Sequence, residues 1–266
     1  MEREILSRLG PVERVGTNVL YRDSVTSTND LMKALAEEGA PEGTVLLSGE
    51  QTRGKGRLGR QFTSAAGKGI YLSALLRPQL PPEDLLPLTG FTAEAMVRAV
   101  RRAAGAEAKI KWVNDLVLNG KKLCGILTES AFFEGRLRYV VVGVGLNVNY
   151  DRDDFPPELR DLAGSLKTEL GRTFDLAPVA AAMIEELDRL YWALLSGDTA
   201  AYLAAYRDHC LTLGKDVLLL QNGVSTPAHA LDVDGDLGLL VRYPDGREAL
   251  VRSGEASVRG LSGYAL

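Results

Sequence analysis

Apolar residues recur with helical spacing in some segments of the chain and in short continuous runs in others. At residues 28–38, "TNDLMKALAEE" predicts a helix that is capped by Thr28 or Asn29 and ends near Gly39. The run "TVLLSGEQ" predicts a buried strand that leads into a glycine-rich stretch. The same criteria predict strands at 44–51 and 70–78 and helices at 87–104, about 178–195 and 199–210.

Two consecutive hairpins are predicted in the middle of the chain. In "KIKWVNDLVLNGKKLCGILTES", a first strand leads to Asn119-Gly120, and these two residue types supply the positive φ angles that a tight turn needs. "FFEGRLRYVVVGVGLNVNY" repeats the pattern, with a turn at Glu134-Gly135 followed by a buried strand. We expect that strand to end near the glycines of "GVGLN".

The pattern changes again at Lys215, where short strand-like runs are separated by Asn-Gly, Asp-Gly and Gly-Asp pairs. Such punctuation is typical of a small all-β domain. We therefore predict an α+β domain over residues 1–213 and a small β-barrel over residues 214–266.

Composition and charge limit the classes of partner and the location that the sequence predicts. The chain has 266 residues, of which 45% are hydrophobic and 25% charged, as in ordinary globular proteins. A net charge of −4 does not favour DNA or an acidic membrane as a partner. No apolar run approaches the roughly 20 residues of a membrane span, and "MEREILSRLG" lacks the apolar core of a signal peptide. We expect a cytoplasmic protein.

Cysteine and histidine are scarce. Cys124 and Cys210 lie in separate apolar segments and are predicted to be buried, reduced thiols. The chain has two histidines and no C-x-x-C or H-E-x-x-H spacing, so the sequence does not predict a transition-metal site.

The stretch "GEQTRGKGRLGR" at 49–60 fits two phosphate-binding patterns, G-x-G-x-x-G and most of G-x-x-x-x-G-K. The first requires a helix after the glycines and an acidic residue about 20 residues further on, and neither is predicted here. The second requires Ser or Thr after the lysine, where this chain has Gly56. Both interpretations fail on context.

What remains is a basic, glycine-rich loop, with no acidic residue between Glu50 and Glu83. Glycines allow backbone N–H groups to approach an anion, and arginine can grip two phosphate oxygens at once. A solvated surface loop is the alternative. The loop is expected to become ordered on an anionic ligand through its cationic residues: Arg53, Lys55, Arg57, Arg60 and Lys68.

Two further segments carry candidate chemistry. In "KIKWVNDL", Asp115 is a carboxylate close in sequence to Lys111 and Lys122, which suits Mg²⁺ bound together with substrate phosphates. Trp112 taken alone is more typical of a core residue than of a ring that stacks on a ligand. In "GVGLNVN", Asn147 could read a base edge or could bond to its own turn.

Together these segments resemble the biotin protein ligases. The resemblance rests on "STND", "QTRGKGRLGRQF", "KWVNDL", "GKKLCGILTE", "GVGLNVN" and "GEASVR", in that order, and covers about residues 21–260. It implies a mixed sheet with helices, related to class II aminoacyl-tRNA synthetases, followed by an SH3-like barrel. The α+β and small-barrel architecture predicted from the pattern agrees with this.

The resemblance also implies an activity. Biotin and MgATP would form biotinyl-5′-AMP and pyrophosphate, and biotin would then pass to a lysine of a biotin carboxyl carrier domain. No general base for that lysine is evident. Only 26 residues precede "STND", too few for a winged helix, so a repressor function and DNA binding are not expected. A homodimer through an exposed edge strand is possible.

Site roles follow from the resemblance alone. Arg57, Lys111 and Lys122 are the catalytic candidates, and Asp115 is the candidate for assisting Mg²⁺. The implied biotin-binding residues are Ser27, Thr28, Asn29, Gln51, Lys55, Gly56, Arg57, Lys122 and Gly125. The implied ATP-binding residues are Arg57, Arg60, Lys111, Asn114 and Asn147, with Asn147 facing the adenine.

The chain departs from the family pattern at four positions. Arg53 replaces an alanine, and Lys55 replaces an arginine, which keeps the charge but loses the planar fork. Phe62 stands where tryptophan is usual. Val113 replaces the proline of K-W-P-N-D and is expected to keep an extended backbone, because β-branching favours it.

Three other functions stay open at this point. A lipoate–protein ligase has a similar fold and chemistry, although the basic loop and the C-terminal barrel argue against it. A non-catalytic interaction protein could use the barrel to bind a partner. A Rossmann oxidoreductase is disfavoured by the context of the glycines.

Overall fold

A computed structural model of the chain describes residues 1–221, 223–253 and 256–260, with Leu58 described by its backbone alone. Within these residues the chain forms two sheets and six helices. The motif "GEASVR" therefore begins outside the described residues, at Gly254 and Glu255. Among the described helices, none is long and apolar enough to cross a membrane.

The larger sheet is mixed, as the sequence predicts. Its strand order is β1-β2-β3-β7-β6-β5-β4, and only the β1–β2 pair is parallel. Its strands are β1 (Asn18–Arg22), β2 (Thr44–Ser48), β3 (Gly69–Leu76), β4 (Lys109–Lys111), β5 (Asp115–Leu118), β6 (Lys121–Phe133) and β7 (Arg136–Asn147).

Helices cover this sheet and complete its core. The long helices α3 and α5 pack against each other, and their buried faces share one apolar cluster with the larger sheet. Apolar burial of this kind is the main favourable term in folding. The helices are α1 (Glu2–Arg8), α2 (Thr28–Glu37), α3 (Leu88–Ala104), α4 (Leu166–Leu170), α5 (Leu176–Ser196) and α6 (Ala200–His209).

The predicted helix and hairpin boundaries agree closely with the structure. Gly105 ends α3 in the left-handed conformation. The β5–β6 and β6–β7 turns carry positive φ at Asn119-Gly120 and Glu134-Gly135. The predicted cap of α2 is wrong. Ser27, and not Thr28 or Asn29, is the N-cap residue, and its Oγ accepts from the N–H of Asp30.

The segment "KIKWVNDL" differs from the prediction of one continuous strand. A turn at residues 112–114 separates β4 from β5, so Val113 is not part of a strand, and the Trp112–Val113 peptide is cis. The two strands pair antiparallel, with Lys111 directly opposite Asp115. The turn therefore brings two predicted site residues together that a straight strand would hold apart.

The smaller sheet is antiparallel, in the order β11-β10-β9-β8-β12. Its strands are β8 (Asp216–Gln221), β9 (Val224–Val233), β10 (Leu239–Arg242), β11 (Glu248–Val251) and β12 (Ser257–Gly260). This order and the buried face of the sheet fit a barrel-like domain. The boundary between residues 213 and 214 and the SH3-like connectivity stay predictions.

Candidate ligand and phosphate site

A cavity of about 480 Å³ lies between the start of α2, the glycine-rich loop and the face of strands β6 and β7. We call the loop over residues 51–62 the glycine loop. The cavity is lined by Ser27, Thr28, Asn29, Gln51, Lys55, Gly56, Arg57, Phe62, Asn114, Lys122, Gly125, Ile126, Leu127, Gly143, Val144 and Gly145.

The N-terminus of α2 forms one wall. Oε1 of Gln51 accepts from both the backbone N–H and the hydroxyl of Thr28, at 2.8 and 3.0 Å. The N–H of Gln51 in turn donates to Oγ of Ser64 at 2.8 Å. These bonds join the glycine loop to the helix.

Asn29 is buried behind this wall and fully engaged. Its Oδ1 accepts from the hydroxyl of Ser73 at 2.6 Å. Its Nδ2 donates to the carbonyl of Leu127 at 3.2 Å and to Glu129 at 2.8 Å. Asn29 therefore links α2 to two strands of the larger sheet, β3 and β6.

Glycines in β6 and β7 form the floor. A Cβ on Gly143 would overlap Oδ1 of Asn29, and a Cβ on Gly145 would lie 2.8 Å from the ring of Phe62. A Cβ on Gly125 would lie 3.1 Å from the same ring. Only residues without a side chain leave room here for Asn29 and Phe62.

The glycine loop folds back on itself as an irregular hairpin. The N–H of Gly56 donates to the carbonyl of Arg60 at 2.7 Å, and the N–H of Phe62 donates to Gly54 at 2.9 Å. A short 3₁₀ turn at Arg57–Gly59 is the only helical element that follows the glycines before β3. The structure thus agrees with the rejection of the dinucleotide and P-loop patterns, both of which need an α-helix there.

Lys55 and Arg57 leave the loop in different directions. Nζ of Lys55 lies 2.7 Å from the carboxylate of Asp30 in α2. Nη1 of Arg57 donates to Oδ1 of Asn114 at 2.8 Å, and its Nη2 donates to the carbonyls of Ser253 and Ala256. Burial lowers the pKa of Arg57 from its ordinary value, although a guanidinium stays protonated in proteins.

Lys122 and Asp115 form an ion pair at the edge of the cavity. Nζ of Lys122 lies 2.7 Å from Oδ1 of Asp115. Nζ of Lys122 also lies near the floor at Gly125. Because Asp115 is opposite Lys111 across the β4–β5 turn, two lysines share the neighbourhood of one carboxylate. The local balance is therefore cationic, which suits an anionic ligand.

Lys111 is buried although it is charged at neutral pH. Only 4% of the residue is exposed, and this burial lowers its pKa to about 8, against the raising effect of Asp115. A buried ammonium is costly unless something compensates it. An anion bound nearby would compensate that charge further.

The structure brings together most of the predicted site residues but not all. Each predicted biotin-binding residue lines the cavity, as do Arg57 and Asn114 of the ATP set. The remaining four predicted residues, Arg60, Lys111, Asp115 and Asn147, do not line it. Asn147 is buried and donates from Nδ2 to the carbonyl of Gly164 at 3.0 Å, so its predicted contact with adenine stays a prediction.

Several cavity residues were not assigned from the sequence. They are Phe62, Ile126, Leu127, Gly143, Val144 and Gly145. The alternating glycines of "GVG" were a usable signal, because residues two apart in a strand lie on the same face. The apolar lining gave no signal, since buried strand residues look alike in a sequence.

The described residues contain no group of three or more histidines, cysteines, aspartates or glutamates that could hold a metal ion. Asp115 supplies a single carboxylate and pairs with Lys122. This donor set does not fit a resident magnesium ion, which would need further ligands such as substrate phosphates. Both cysteines are buried and unpaired, as predicted.

The sequence is similar to known ligases. The profile of the biotin/lipoate A/B protein ligase family matches residues 19–147. The bifunctional ligase/repressor BirA of Bacillus spizizenii is 35% identical over 234 residues, which cover 88% of this chain and 72% of that protein. The biotin–[acetyl-CoA-carboxylase] ligase of Mycobacterium tuberculosis is 32% identical, over 86% of this chain and 84% of its own length.

The fold is similar to a solved ligase as well. The biotin protein ligase from Aquifex aeolicus, determined in complex with biotin and ATP, superposes with a TM-score of 0.78 at 26% identity. The alignment covers 92% of this chain and 99% of that one.

Proposed function

The chain belongs to the biotin protein ligase family, and from this premise we propose that its cavity activates biotin with ATP and delivers it to a carrier lysine. The observation that carries the proposal is the cavity itself. Neutral polar side chains at the start of α2 line one part of it, and Arg57 and Lys122, which bond to Asn114 and Asp115, line another. Such a division suits a ligand with an uncharged head and an anionic tail.

The chemistry takes two balanced steps. In the first, a carboxylate oxygen of biotin attacks the α-phosphorus of ATP, and pyrophosphate leaves. In the second, a lysine amine of the carrier attacks the acyl carbon of biotinyl-5′-AMP, AMP leaves, and the amine loses its proton to the surroundings. Activation is needed because a free carboxylate has no leaving group other than oxide.

The first step brings two anions together. Two unit charges 4 Å apart repel by about 4 kcal/mol at an effective dielectric constant of 20. Cations held in place before the reaction offset this repulsion and stabilise charge that develops on the phosphate. We assign this role to Lys122, Arg57 and Lys111, since Lys122 and Arg57 line the cavity and Lys111 lies opposite the partner of Lys122.

The uncharged end would hold the ring system of biotin. Ser27, Thr28, Asn29 and Gln51 supply hydroxyl and amide groups for the ureido head. Because Thr28 and Gln51 already hold each other, little ordering is needed when the ligand binds. Lys55 and Gly56 belong to the glycine loop, which would cover the ligand and keep water from the mixed anhydride.

The ATP end is less fully formed by the cavity residues. Asn114 lies beside Arg57 there, and Arg60, Lys111 and Asn147 are proposed to join it when nucleotide binds. Magnesium enters this proposal with ATP as part of the substrate, with Asp115 as its candidate carboxylate ligand. The acceptor would be a biotin carboxyl carrier protein or domain, as the names of the M. tuberculosis and Paracoccus denitrificans relatives suggest.

The test is a transfer assay with matched variants. Purified protein is incubated with biotin, MgATP and a carrier domain, and biotin on the carrier and pyrophosphate are measured, with lipoate in a parallel reaction. Lys122→Ala should lower kcat/KM by roughly a hundredfold or more, because a cation at the reacting charges is lost. Lys121→Ala is the control, since Lys121 lies next in sequence and bonds instead to the carbonyl of Asp161.

Each outcome decides something. Biotin transfer that is lost in Lys122→Ala and kept in Lys121→Ala supports the proposal. Lipoate transfer without biotin transfer would move the chain to the related lipoate ligases. A wild-type protein that releases no pyrophosphate with either acid would overturn the proposed activity.

A further inference from the structure

The segment after the glycine loop has no regular secondary structure, yet it supports the cavity. Residues 63–68 run from the loop to β3 without helix or strand. Oγ of Ser64 accepts from the N–H of Gln51 at 2.8 Å. Because Gln51 in turn binds Thr28 through its side chain, the position of Ser64 affects the uncharged end of the cavity.

Two buried tyrosines form hydrogen bonds to this segment. Tyr71 belongs to β3 and Tyr150 follows β7, and neither is exposed to solvent. The N–H of Ala65 donates to the hydroxyl of Tyr150 at 2.7 Å and to that of Tyr71 at 3.2 Å. The hydroxyl of Tyr150 donates to the carbonyl of Thr63 at 3.3 Å, and the two hydroxyls bond to each other.

The tyrosines are themselves firmly fixed. The ring of Tyr150 stacks on Phe155, with centroids 4.8 Å apart, and its carbonyl accepts from the hydroxyl of Ser165 at 2.8 Å. The ring of Tyr71 meets the ring of Phe62 edge to face at 6.4 Å. Tyr71 therefore contacts Phe62 of the cavity wall directly. It also accepts a hydrogen bond from Ala65, which follows Ser64 in the chain.

Burial raises the pKa of both hydroxyls above the ordinary value for tyrosine. Both groups thus stay protonated and keep their hydrogen bonds at any pH at which the enzyme would work. Their function is therefore structural and not acid–base.

We propose that the Tyr71–Tyr150 pair is a positioning device for the uncharged end of the cavity, which sets Gln51 through Ser64 and sets Phe62 through ring contact. The inference rests on the proposed function, because it names biotin as the ligand of that end. It assigns no contact between either tyrosine and substrate.

The test compares three variants. Tyr150→Phe and the double variant Tyr71→Phe/Tyr150→Phe remove the hydroxyls that hold Ala65. Tyr191→Phe is the control, because Tyr191 is also buried but donates to Glu42 away from the cavity. For each, KM for biotin, KM for ATP and kcat are measured with saturating carrier, together with biotin affinity by calorimetry and the melting temperature.

We expect Tyr150→Phe to raise KM and the dissociation constant for biotin by roughly threefold to tenfold, because the hydroxyl loses its bonds to Thr63, Ala65 and Tyr71 while Tyr71 still accepts from Ala65. The double variant should raise both further, while KM for ATP stays within about twofold. Tyr191→Phe should lower the melting temperature without changing either biotin constant.

Other results overturn the inference. Biotin constants that do not change in the double variant, or that change equally in Tyr191→Phe, would mean that the tyrosines serve general stability. The failure of the proposed function looks different, since wild-type protein would then show no biotin binding or transfer for the variants to weaken. Should the double variant not fold, Tyr150→Phe alone decides.

Discussion

Lys111 was predicted as a site residue from its motif, but its burial was not predicted. The motif "KIKWVNDL" identifies it as a candidate cation, but nothing in the sequence says that only 4% of it is exposed. Its burial depends on tertiary packing, because its short strand β4 packs against α3 and α6. A buried lysine charge near a cavity is a common feature of functional sites.

The lowered pKa of Lys111 predicts a pH dependence of stability. Below about pH 8 this lysine is charged in both folded and unfolded chains, so the folded state bears the full cost of burying the charge. From about pH 8 to 10.5 the unfolded chain still holds the proton and the folded chain releases it. This residue therefore makes the free energy of unfolding rise over that interval, by about 3 kcal/mol in total.

Urea unfolding of wild type and Lys111→Met at several pH values checks this expectation. The stability of the wild type relative to the variant should be constant below pH 8 and should rise between pH 8 and 10.5. Lys109→Met is the control, because Lys109 lies in the same strand with its side chain exposed. A wild-type-to-variant difference that stays flat across the interval would contradict the assigned pKa.

At the level of elements, the start of α2 and the middle of β7 meet without an intervening side chain. Asn29 fills the space above Gly143 and bonds to β3 and β6 from there. The helix itself was predictable from a nearby capping residue and from Gly39 at its end. Its position on the sheet was not predictable, because the contact between Asn29 and Gly143 joins residues 114 positions apart.

Gly143→Ala tests this contact. The added methyl group would overlap the side-chain amide of Asn29, so the helix or the amide must move, at a cost of about 1–3 kcal/mol. We expect a matching loss in the free energy of unfolding and a loss of biotin affinity of at least tenfold, because Asn29 lines the cavity. Calorimetry with biotin and urea unfolding measure the two effects.

Gly235→Ala provides the comparison for that experiment. Gly235 lies in the smaller sheet's β9–β10 connection, and a Cβ there would meet no atom within 4 Å. Biotin affinity should be unchanged in this variant. Equal effects of the two substitutions would mean that the Asn29–Gly143 contact has no special role.

At the scale of the whole molecule, the two sheets are joined at the site. Nε1 of Trp112 donates to the carbonyl of Leu237 at 2.8 Å, and the side chain of Leu237 packs against Gly90 in α3. Arg57 adds contacts from the glycine loop to Ser253 and Ala256. The turn that carries Asn114 is therefore supported by the smaller sheet.

Trp112→Phe measures the strength of this connection. The substitution leaves the buried carbonyl of Leu237 without its donor, which costs about 1–3 kcal/mol. We expect the substitution to increase the rate of hydrogen exchange more in β9 and β10 than in β3 and β7, because the smaller sheet loses the contact. Trp192→Phe is the control, because Trp192 is 38% exposed and contacts Arg14 instead. A uniform change in exchange across both sheets would contradict this connection.

Local patterns in the sequence determined most of the elements, the mixed α+β character, the turns at Asn119-Gly120 and Glu134-Gly135, and the candidate site residues. They did so because helix spacing, turn glycines and motif order depend on neighbours in the chain. Tertiary structure alone decided the turn at Trp112, the burial of Lys111, the packing of Asn29 against Gly143, and the bonds of the tyrosine pair to the segment that contains Ser64. Each of these depends on contacts between residues far apart in sequence, which a single sequence does not encode in any local pattern.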